Sequence, residues 1–246
     1  MTSREATIHN LKKLKGQPLK NKIAYILSNF WIPIVAVLGA VVFVVSMIVG
    51  WANQRPTVFN LCCINSNADP ETVQGYLQEF AKAQEIDTEE NYVLADMIYL
   101  GQGTDADYQS AQIFSAKMIA GDLDVMTAHY ATLISHAYQE AFVDLRELLT
   151  PEQMETLAPY LLYMDRSRVE EMNTFSDEPR QIPSPSKPEE MEQPIPVAII
   201  LQPDWEFTKA CYPLFCGEDA VAVMANSKNA ANAQAFLQFV LGQKEN

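Results

Sequence analysis

The cysteines are the most reactive side chains in this 246-residue chain, and their spacing sets what chemistry they could do. Cys211 and Cys216 flank a Tyr-Pro-Leu-Phe segment whose proline favours a turn, and a turn would bring the sulfur atoms close enough for a disulfide outside the cell. The alternative for this pair is two small buried hydrophobic residues. Cys62 and Cys63 are adjacent, so in a strand they point to opposite faces and fill the core. Neither pair has the Cys-x-x-Cys spacing typical of a zinc site.

Short polar segments follow three predicted strands. Asn65, Ser66 and Asn67 follow the first strand, Gly101 and Gln102 follow the second, and Tyr130 follows the third. In open α/β sheets, ligands bind beyond the carboxyl ends of the strands. These six residues are therefore the candidate ligand-binding residues, with ordinary turn chemistry as the alternative.

The other polar motifs do not indicate an enzyme. His129 and His136 are seven residues apart and would share one face of a helix, but they could hold a metal only if that helix were continuous. Asp122 and Asp124 do not fit the calcium-loop pattern and are expected in a turn or a cap. The sequence contains no nucleophile elbow, P-loop, His-Glu-x-x-His or dinucleotide fingerprint. We expect a non-enzymatic protein without a cofactor or a metal, and an extracytoplasmic hydrolase is the weakest option.

Composition and charge exclude several classes of protein. The formal net charge is −14 and the pI is about 4.6, which disfavours a nucleic-acid-binding protein. Hydrophobic residues make up 48% and charged residues 20% of the chain, which fits a globular fold and excludes a fully disordered chain.

One uncharged segment, residues 23–54, is predicted to cross a lipid bilayer. Its core, residues 31–51, begins and ends with tryptophan, and a helix of that length spans about 30 Å, the thickness of a hydrocarbon layer. Trp31 and Trp51 are expected at the two membrane interfaces. The apolar run is longer than the core of a signal peptide and lacks a small-residue cleavage site. We therefore predict an uncleaved signal-anchor rather than a signal peptide or a buried helix.

The charges on the two sides of this segment predict its orientation. Residues 1–22 carry six basic residues and one acidic residue, whereas residues 55–246 carry 11 basic and 30 acidic residues. The positive-inside rule then places a basic tail, residues 1–22, in the cytoplasm. The expected location is the cell membrane, with a single pass and an extracytoplasmic carboxyl-terminal domain.

The part of the chain after the membrane segment alternates between strand and helix patterns. An alternation of this kind predicts an α/β fold with three αβα layers and a mostly parallel sheet, formed by residues 55–165 and 195–246. Residues 166–194 contain five prolines and seven acidic residues with few apolar ones. Such a composition is typical of a flexible excursion that does not bury enough surface to order itself.

Three segments of this domain resemble the first lobe of bacterial extracellular solute-binding proteins of the type II periplasmic fold. The resemblance is carried by VFNLCCINSN with the helix after it, by Gly121-Asp122-Leu-Asp124-Val, and by Asn226-Ser-Lys-Asn with the helix after it. Proteins of that family resemble a clamshell that closes on its ligand. Here only residues 166–194 stand where the second lobe would be expected. The resemblance therefore implies a reduced, single-lobe, membrane-anchored relative.

Two functions follow as expectations. The first is a solute-binding-like module that works beside a membrane transporter or sensor subunit, with a small-molecule ligand of unknown identity. The alternative is a structural or assembly component of an envelope membrane complex, with no small-molecule ligand. In both cases the partners are the lipid bilayer and a membrane protein, and not a nucleic acid.

Overall fold

A computed structural model describes residues 18–52, 55–101, 105–174, 184–215 and 217–242. The chain divides into two compact units, Met1–Gln54 and Arg55–Asn246. Residues 1–17 of the predicted basic tail, residues 1–22, lie outside the described part, and residues 19–22 belong to a helix.

The described part of the first unit is one helix, α1, Leu19–Ala52. Its stretch Trp31–Gly50 has a mean hydropathy of 2.9 and is long and apolar enough to cross a membrane. Side chains along that stretch are exposed, apart from the half-buried Ile34. Trp31 lies at the start of the stretch, and Trp51 lies in the last turn of the helix. Their placement at the interfaces of a bilayer stays a prediction.

The second unit contains six strands and seven α-helices among its described residues. The strands are β1 Thr57–Ile64, β2 Tyr92–Ile98, β3 Val125–His129, β4 Leu161–Asp165, β5 Pro194–Ile200 and β6 Asp219–Val223. The helices are α2 Pro70–Ala83, α3 Asp105–Ala120, α4 Tyr130–Ala137, α5 Pro151–Leu157, α6 Val169–Asn173, α7 Glu206–Cys211 and α8 Ala230–Gly242.

The six strands form one mixed sheet in the order β2-β1-β3-β6-β5-β4. β1 pairs in parallel with β2 and β3, whereas the β3–β6, β6–β5 and β5–β4 pairs are antiparallel. The α/β class is confirmed, but the expectation of a mostly parallel sheet is not, because three of the five pairings are antiparallel. The cause lies partly in β4, a strand that the sequence pattern does not reveal. The chain leaves β4 and enters β5 at the same end of the two strands, where Arg166 N–H donates to the carbonyl of Gln193 at 3.0 Å. β5 therefore runs antiparallel to β4.

Both faces of the sheet carry buried hydrophobic residues. Strand β1 contributes to both faces, since successive side chains of a strand point to opposite sides. Phe59, Leu61 and Cys63 belong to one buried cluster, which we call the first core, and helices α2, α7 and α8 also contribute to it. Cys62 and Ile64 belong to the second core, together with residues of α3 and α4. The alternation predicted for the two cysteines is thereby confirmed.

Capping residues define the beginnings of two helices. The Asp69 side chain accepts a hydrogen bond from Thr72 N–H at 3.1 Å, with Pro70 at the first position of α2. Thr150 and Gln153 form a reciprocal capping box at the start of α5. Both caps satisfy backbone N–H groups that the helix leaves without partners.

The predicted flexible excursion, residues 166–194, is only partly described. Residues 166–173 are helical, and residues 188–190 form a short 3₁₀ turn. Asp165, at the end of β4, accepts hydrogen bonds from the N–H groups of Glu192 and Gln193, each at 3.0 Å. Residues 175–183 lie outside the described part, so the flexibility of the excursion stays a prediction.

Candidate functional site

The carboxyl ends of β1 and β3 meet at one edge of the sheet, and β6 begins at the same edge because it runs antiparallel to β3. This is the edge at which open α/β sheets bind ligands. A cavity of about 270 Å³ lies there, and we call it the carboxyl-edge cleft. It is lined by Asn65, Asn67, His129, Tyr212, Leu214, Glu218 and Asp219.

Asn65 turns the chain at the end of β1. Its φ is +53°, a left-handed conformation that asparagine tolerates better than most residues. Its N–H donates to the carbonyl of Ile98 at 2.8 Å, and its Oδ1 accepts from Leu100 N–H at 2.8 Å. The residue therefore ties the ends of β1 and β2 together at the rim of the cleft.

The other sequence-predicted ligand residues have different positions. Asn67 lines the cleft. Ser66 is buried, where its Oγ accepts from Ala68 N–H and donates to the carbonyl of Cys211, so its role is structural. Gly101 is exposed with a φ of +92°, as a turn residue would be, and it is not among the residues that line the cleft. Gln102 lies outside the described residues.

His129, at the end of β3, contributes an imidazole to the cleft. Its Nδ1 accepts from Ala131 N–H at 3.2 Å, so the proton belongs on Nε2, which donates to Glu218 Oε2 at 2.9 Å. The Tyr130 ring stacks on the imidazole with 4.7 Å between ring centroids, and Tyr130 N–H donates to the Glu218 carbonyl at 2.8 Å. Both members of the His129–Glu218 pair are about half exposed, which makes the pair worth at most about 1 kcal/mol.

Two neighbouring carboxylates give the cleft its charge. Burial raises the pKa of Asp219, His129 opposes that shift, and the neighbouring Glu218 carboxylate adds to it. A carboxylate that is partly desolvated beside a second one is stabilised by any cation or hydrogen-bond donor that enters. The cleft therefore suits a ligand with N–H, O–H or ammonium groups.

Tyr212 is the buried aromatic residue of the cleft. Its hydroxyl donates to Thr127 Oγ1 at 3.0 Å. Burial, the largest effect, raises the pKa of this phenol well above its ordinary value. The hydroxyl consequently stays protonated and neutral at physiological pH.

A second cavity, of about 390 Å³, lies near the amino ends of β1 and β3 and is bordered by Lys117, Asp122 and Lys228. Its charged groups are already paired. Lys117 Nζ contacts Asp96 at 2.6 Å, and Lys228 Nζ contacts Asp122 at 2.7 Å. The carboxyl-edge cleft is thus the better candidate site. Two carboxylates line it, and one partly exposed imidazole, that of His129, pairs with one of them.

Two further chemistries considered from the sequence are a metal site formed by His129 and His136 and a disulfide between Cys211 and Cys216. His129 ends β3, whereas His136 lies on α4 beside Phe114, and so the strand-to-helix break separates the two imidazoles. Among the described residues, no group of three or more His, Cys, Asp or Glu side chains is placed to hold a metal ion. Cys211 is buried, but Cys216 lies outside the described residues, so the disulfide between them stays a prediction.

Sequence reasoning missed most of the cleft. It identified Asn65 and Asn67, but not Tyr212, Glu218 or Asp219, which come from the far end of the chain. Glu218 and Asp219 reach the site because β6 is antiparallel to β3, and Tyr212 reaches it from the end of α7. The available signal was the acid pair Glu218-Asp219 directly before the apolar strand Ala220–Val223.

Comparison with known protein families, with characterised proteins and with solved structures finds no match for this chain. The resemblance to extracellular solute-binding proteins therefore rests on the three sequence segments alone. What the site can do must be argued from its own geometry.

Proposed function

We propose that this chain is a membrane-anchored, extracytoplasmic, solute-binding-like module that holds a small polar ligand beside a membrane transporter or sensor. The observation that carries the proposal is the carboxyl-edge cleft, a concave site at the ligand-binding edge of the sheet. Its polar side chains come from three separate regions of the chain. Convergent polar groups of this kind fix the orientation of a bound ligand and make the site specific for it.

The size and charge of the cleft indicate the class of ligand. A volume of about 270 Å³ is just below the range of about 300–1,000 Å³ that is typical of small-molecule sites, which favours a small ligand. Glu218 and Asp219 accept hydrogen bonds, and the amides of Asn65 and Asn67 offer both donors and acceptors. We therefore infer a small solute that is rich in hydrogen-bond donors or carries a positive charge.

Binding accounts for the lining of the cleft better than catalysis does. The side chains that line it include two amides, a phenol and two carboxylates, and all of these can hydrogen-bond a polar ligand. The His129 imidazole already contacts Glu218 with one nitrogen and the backbone of α4 with the other. These contacts fix the orientation of the imidazole at the rim of the cleft.

The proposal places helix α1 in the cell membrane, with the N-terminus in the cytoplasm and the domain outside. Its support is the long exposed apolar surface of Trp31–Gly50 and the excess of basic residues before it. We also propose a three-layer αβα domain related to one lobe of the solute-binding proteins. The support is that both faces of the sheet carry a buried core to which helices contribute.

Thermal-shift measurements on the full chain in detergent micelles test the proposal. Three panels of solutes are screened: sugars, amino acids with short peptides, and inorganic cations. We expect one of these classes to raise the Tm of the wild-type protein. Glu218→Gln should abolish that shift because it removes a cleft carboxylate. Glu79→Gln, which removes an exposed carboxylate on α2, is the matched control and should retain it.

The same experiment separates the proposal from its alternative. A protein that no class of solute stabilises, and that cross-links in intact cells to one membrane partner, would contradict solute binding. That outcome would favour an assembly component of an envelope complex.

A further inference from the structure

Two thiols from distant parts of the chain meet in the first core. Cys63 lies near the end of β1 and Cys211 is the last residue of α7, and the two thiols are hydrogen-bonded to each other. Both side chains are completely buried, with 0% exposure. Both are free thiols in this structure, and a disulfide needs two cysteines whose Cβ atoms lie about 3.5–4.5 Å apart.

Neighbouring hydrogen bonds hold the two cysteines side by side. Ser66 Oγ donates to the carbonyl of Cys211, 145 positions further along the chain. The next residue, Tyr212, donates from its hydroxyl to Thr127 Oγ1 at 3.0 Å. Thr127 also hydrogen-bonds the Cys63 thiol. The end of α7 is therefore anchored both to the turn after β1, through Ser66, and to β3, through Thr127.

Cys62 provides a contrast within the same strand. It is as completely buried as Cys63, but it belongs to the second core, on the opposite face of the sheet. Of the two adjacent cysteines, only Cys63 shares the first core with Cys211.

We propose that Cys63 and Cys211 are the disulfide-forming pair of this domain. The bond would tie Tyr212 and Leu214, which line the carboxyl-edge cleft, to strand β1. It would exclude the Cys211–Cys216 disulfide predicted from the sequence, because a cysteine takes part in only one disulfide bond. Formation of the bond in the cell needs an oxidising compartment, and this rests on the proposed extracytoplasmic location. The identity of the cysteine that pairs with Cys211 does not depend on that location.

The reaction is a thiol–disulfide exchange with an external disulfide, R–S–S–R, such as glutathione disulfide. The two S–H bonds of the cysteines break, one S–S bond forms between them, and the external disulfide takes up two electrons and two protons to give two R–SH. In the folded, reduced protein the hydrogen bond from Cys211 lowers the pKa of Cys63, and burial opposes this shift. Because both sulfur atoms are buried, exchange takes place before the core closes, and the folded reduced protein should react slowly.

Peptide mapping identifies the pair. The full chain is unfolded with reductant, refolded in detergent with reduced glutathione and glutathione disulfide, alkylated and digested without reduction. We expect one cross-link between Cys63 and Cys211 in the wild-type protein. Cys62→Ala and Cys216→Ala should keep it, and Cys63→Ala and Cys211→Ala should lose it.

Two outcomes of this mapping would overturn the proposal. One is a Cys211–Cys216 link in the wild-type protein. The other is alkylation of all four cysteines after refolding in the oxidising buffer.

Thermal stability gives a second readout that does not depend on digestion. A cross-link closing so long a loop should make the Tm of the oxidised wild-type protein about 10 °C higher than that of the reduced protein. Cys62→Ala should show the same sensitivity to reductant, and Cys63→Ala should show none. An equal shift in Cys63→Ala would contradict the pairing.

Alkylation of intact cells before membrane extraction separates this proposal from the proposed function. If the purified protein forms the Cys63–Cys211 bond but the protein from cells is fully reduced, the pairing stands and the extracytoplasmic location fails. A bond found in both supports the pairing and the location together.

Discussion

The two edges of the sheet carry similar polar residues but use them differently. At the amino edge, the buried Asp124 carboxylate accepts from Asn60 N–H at 2.7 Å, from the Ser227 hydroxyl at 2.5 Å and from the Asn229 amide at 3.1 Å. At the carboxyl edge, Glu218 and Asp219 face a cavity. Polar residues whose partners are in the fold stabilise the fold, and polar residues that face open space are available to a ligand.

The amino-edge cluster also explains why two of the resembling segments occur together. Asp124 comes from the Gly-Asp-x-Asp segment, and Ser227 and Asn229 come from the Asn-Ser-Lys-Asn segment. Ser227 lies three residues before the start of α8 at Ala230, where its hydroxyl donates to Asp124 and accepts from Asn229 N–H. The segments therefore form one structural unit and not a ligand site.

The largest effect is expected from Asp124→Ala. It leaves the backbone N–H of Asn60 and the side chains of Ser227 and Asn229 without their acceptor, and should lower the free energy of unfolding by about 3 kcal/mol. Asp122→Ala is the control, because it removes only a half-exposed ion pair with Lys228 and should cost less than about 1 kcal/mol. Urea unfolding followed by circular dichroism measures both. Equal losses of unfolding free energy in the two variants would contradict a structural role for the Asp124 carboxylate at the amino edge.

The next effect is expected at Gly121, the turn that leads from α3 towards β3. Its φ is +68°, and a Cβ there would collide with the carbonyl oxygen of Asn226. Gly121→Ala should lower the free energy of unfolding by about 2 kcal/mol. Gly75→Ala, in the exposed middle of α2 with open space around it, should raise it by about 0.5 kcal/mol. A neutral Gly121→Ala would mean that the two amino-edge segments do not pack closely.

The pH dependence of stability should differ between Asp165, at the end of β4, and Asp219 in the cleft. Burial alone would raise the pKa of Asp165, but hydrogen bonds from Ser167, Glu192 and Gln193 outweigh burial and lower it. A lowered pKa stabilises the fold above the ordinary value of about 4, and this stabilisation is lost as pH falls through the folded-state pKa. Asp165→Asn should therefore cost about 1.5 kcal/mol at pH 7 and less at pH 3. Urea titrations at the two pH values measure it, and a cost independent of pH would contradict the account.

The smallest effect, of opposite sign, is expected at Asp219. Its pKa is raised, so ionisation disfavours the folded state increasingly as pH rises from the ordinary value through the folded-state value. Asp219→Asn removes this charge and should stabilise the domain by about 0.5 kcal/mol at pH 7, with no gain at pH 3. Differential scanning calorimetry at both pH values checks the sign. A loss of stability at pH 7 would place Asp219 among the structural carboxylates.

What the sequence predicts, and what it does not, follows from the range of the interactions involved. The first strand and the alternation of Cys62 and Cys63 along it depend on neighbouring residues, and both predictions are correct. The direction of β6 depends on pairing with β3, almost a hundred residues earlier in the chain, and local periodicity carries no information about it. The placement of Glu218 and Asp219 in the cleft depends on that direction, which explains why Asn65 and Asn67 were identified and these two acids were not.

Hydrogen–deuterium exchange of the full chain in detergent, with and without the solute that gives the largest Tm shift, tests the central claim most directly. The account predicts that the solute slows exchange in residues 65–67, 129–131 and 217–219 around the carboxyl-edge cleft, and leaves residues 121–124 and 226–229 unchanged. Protection confined to the amino-edge segments would contradict it.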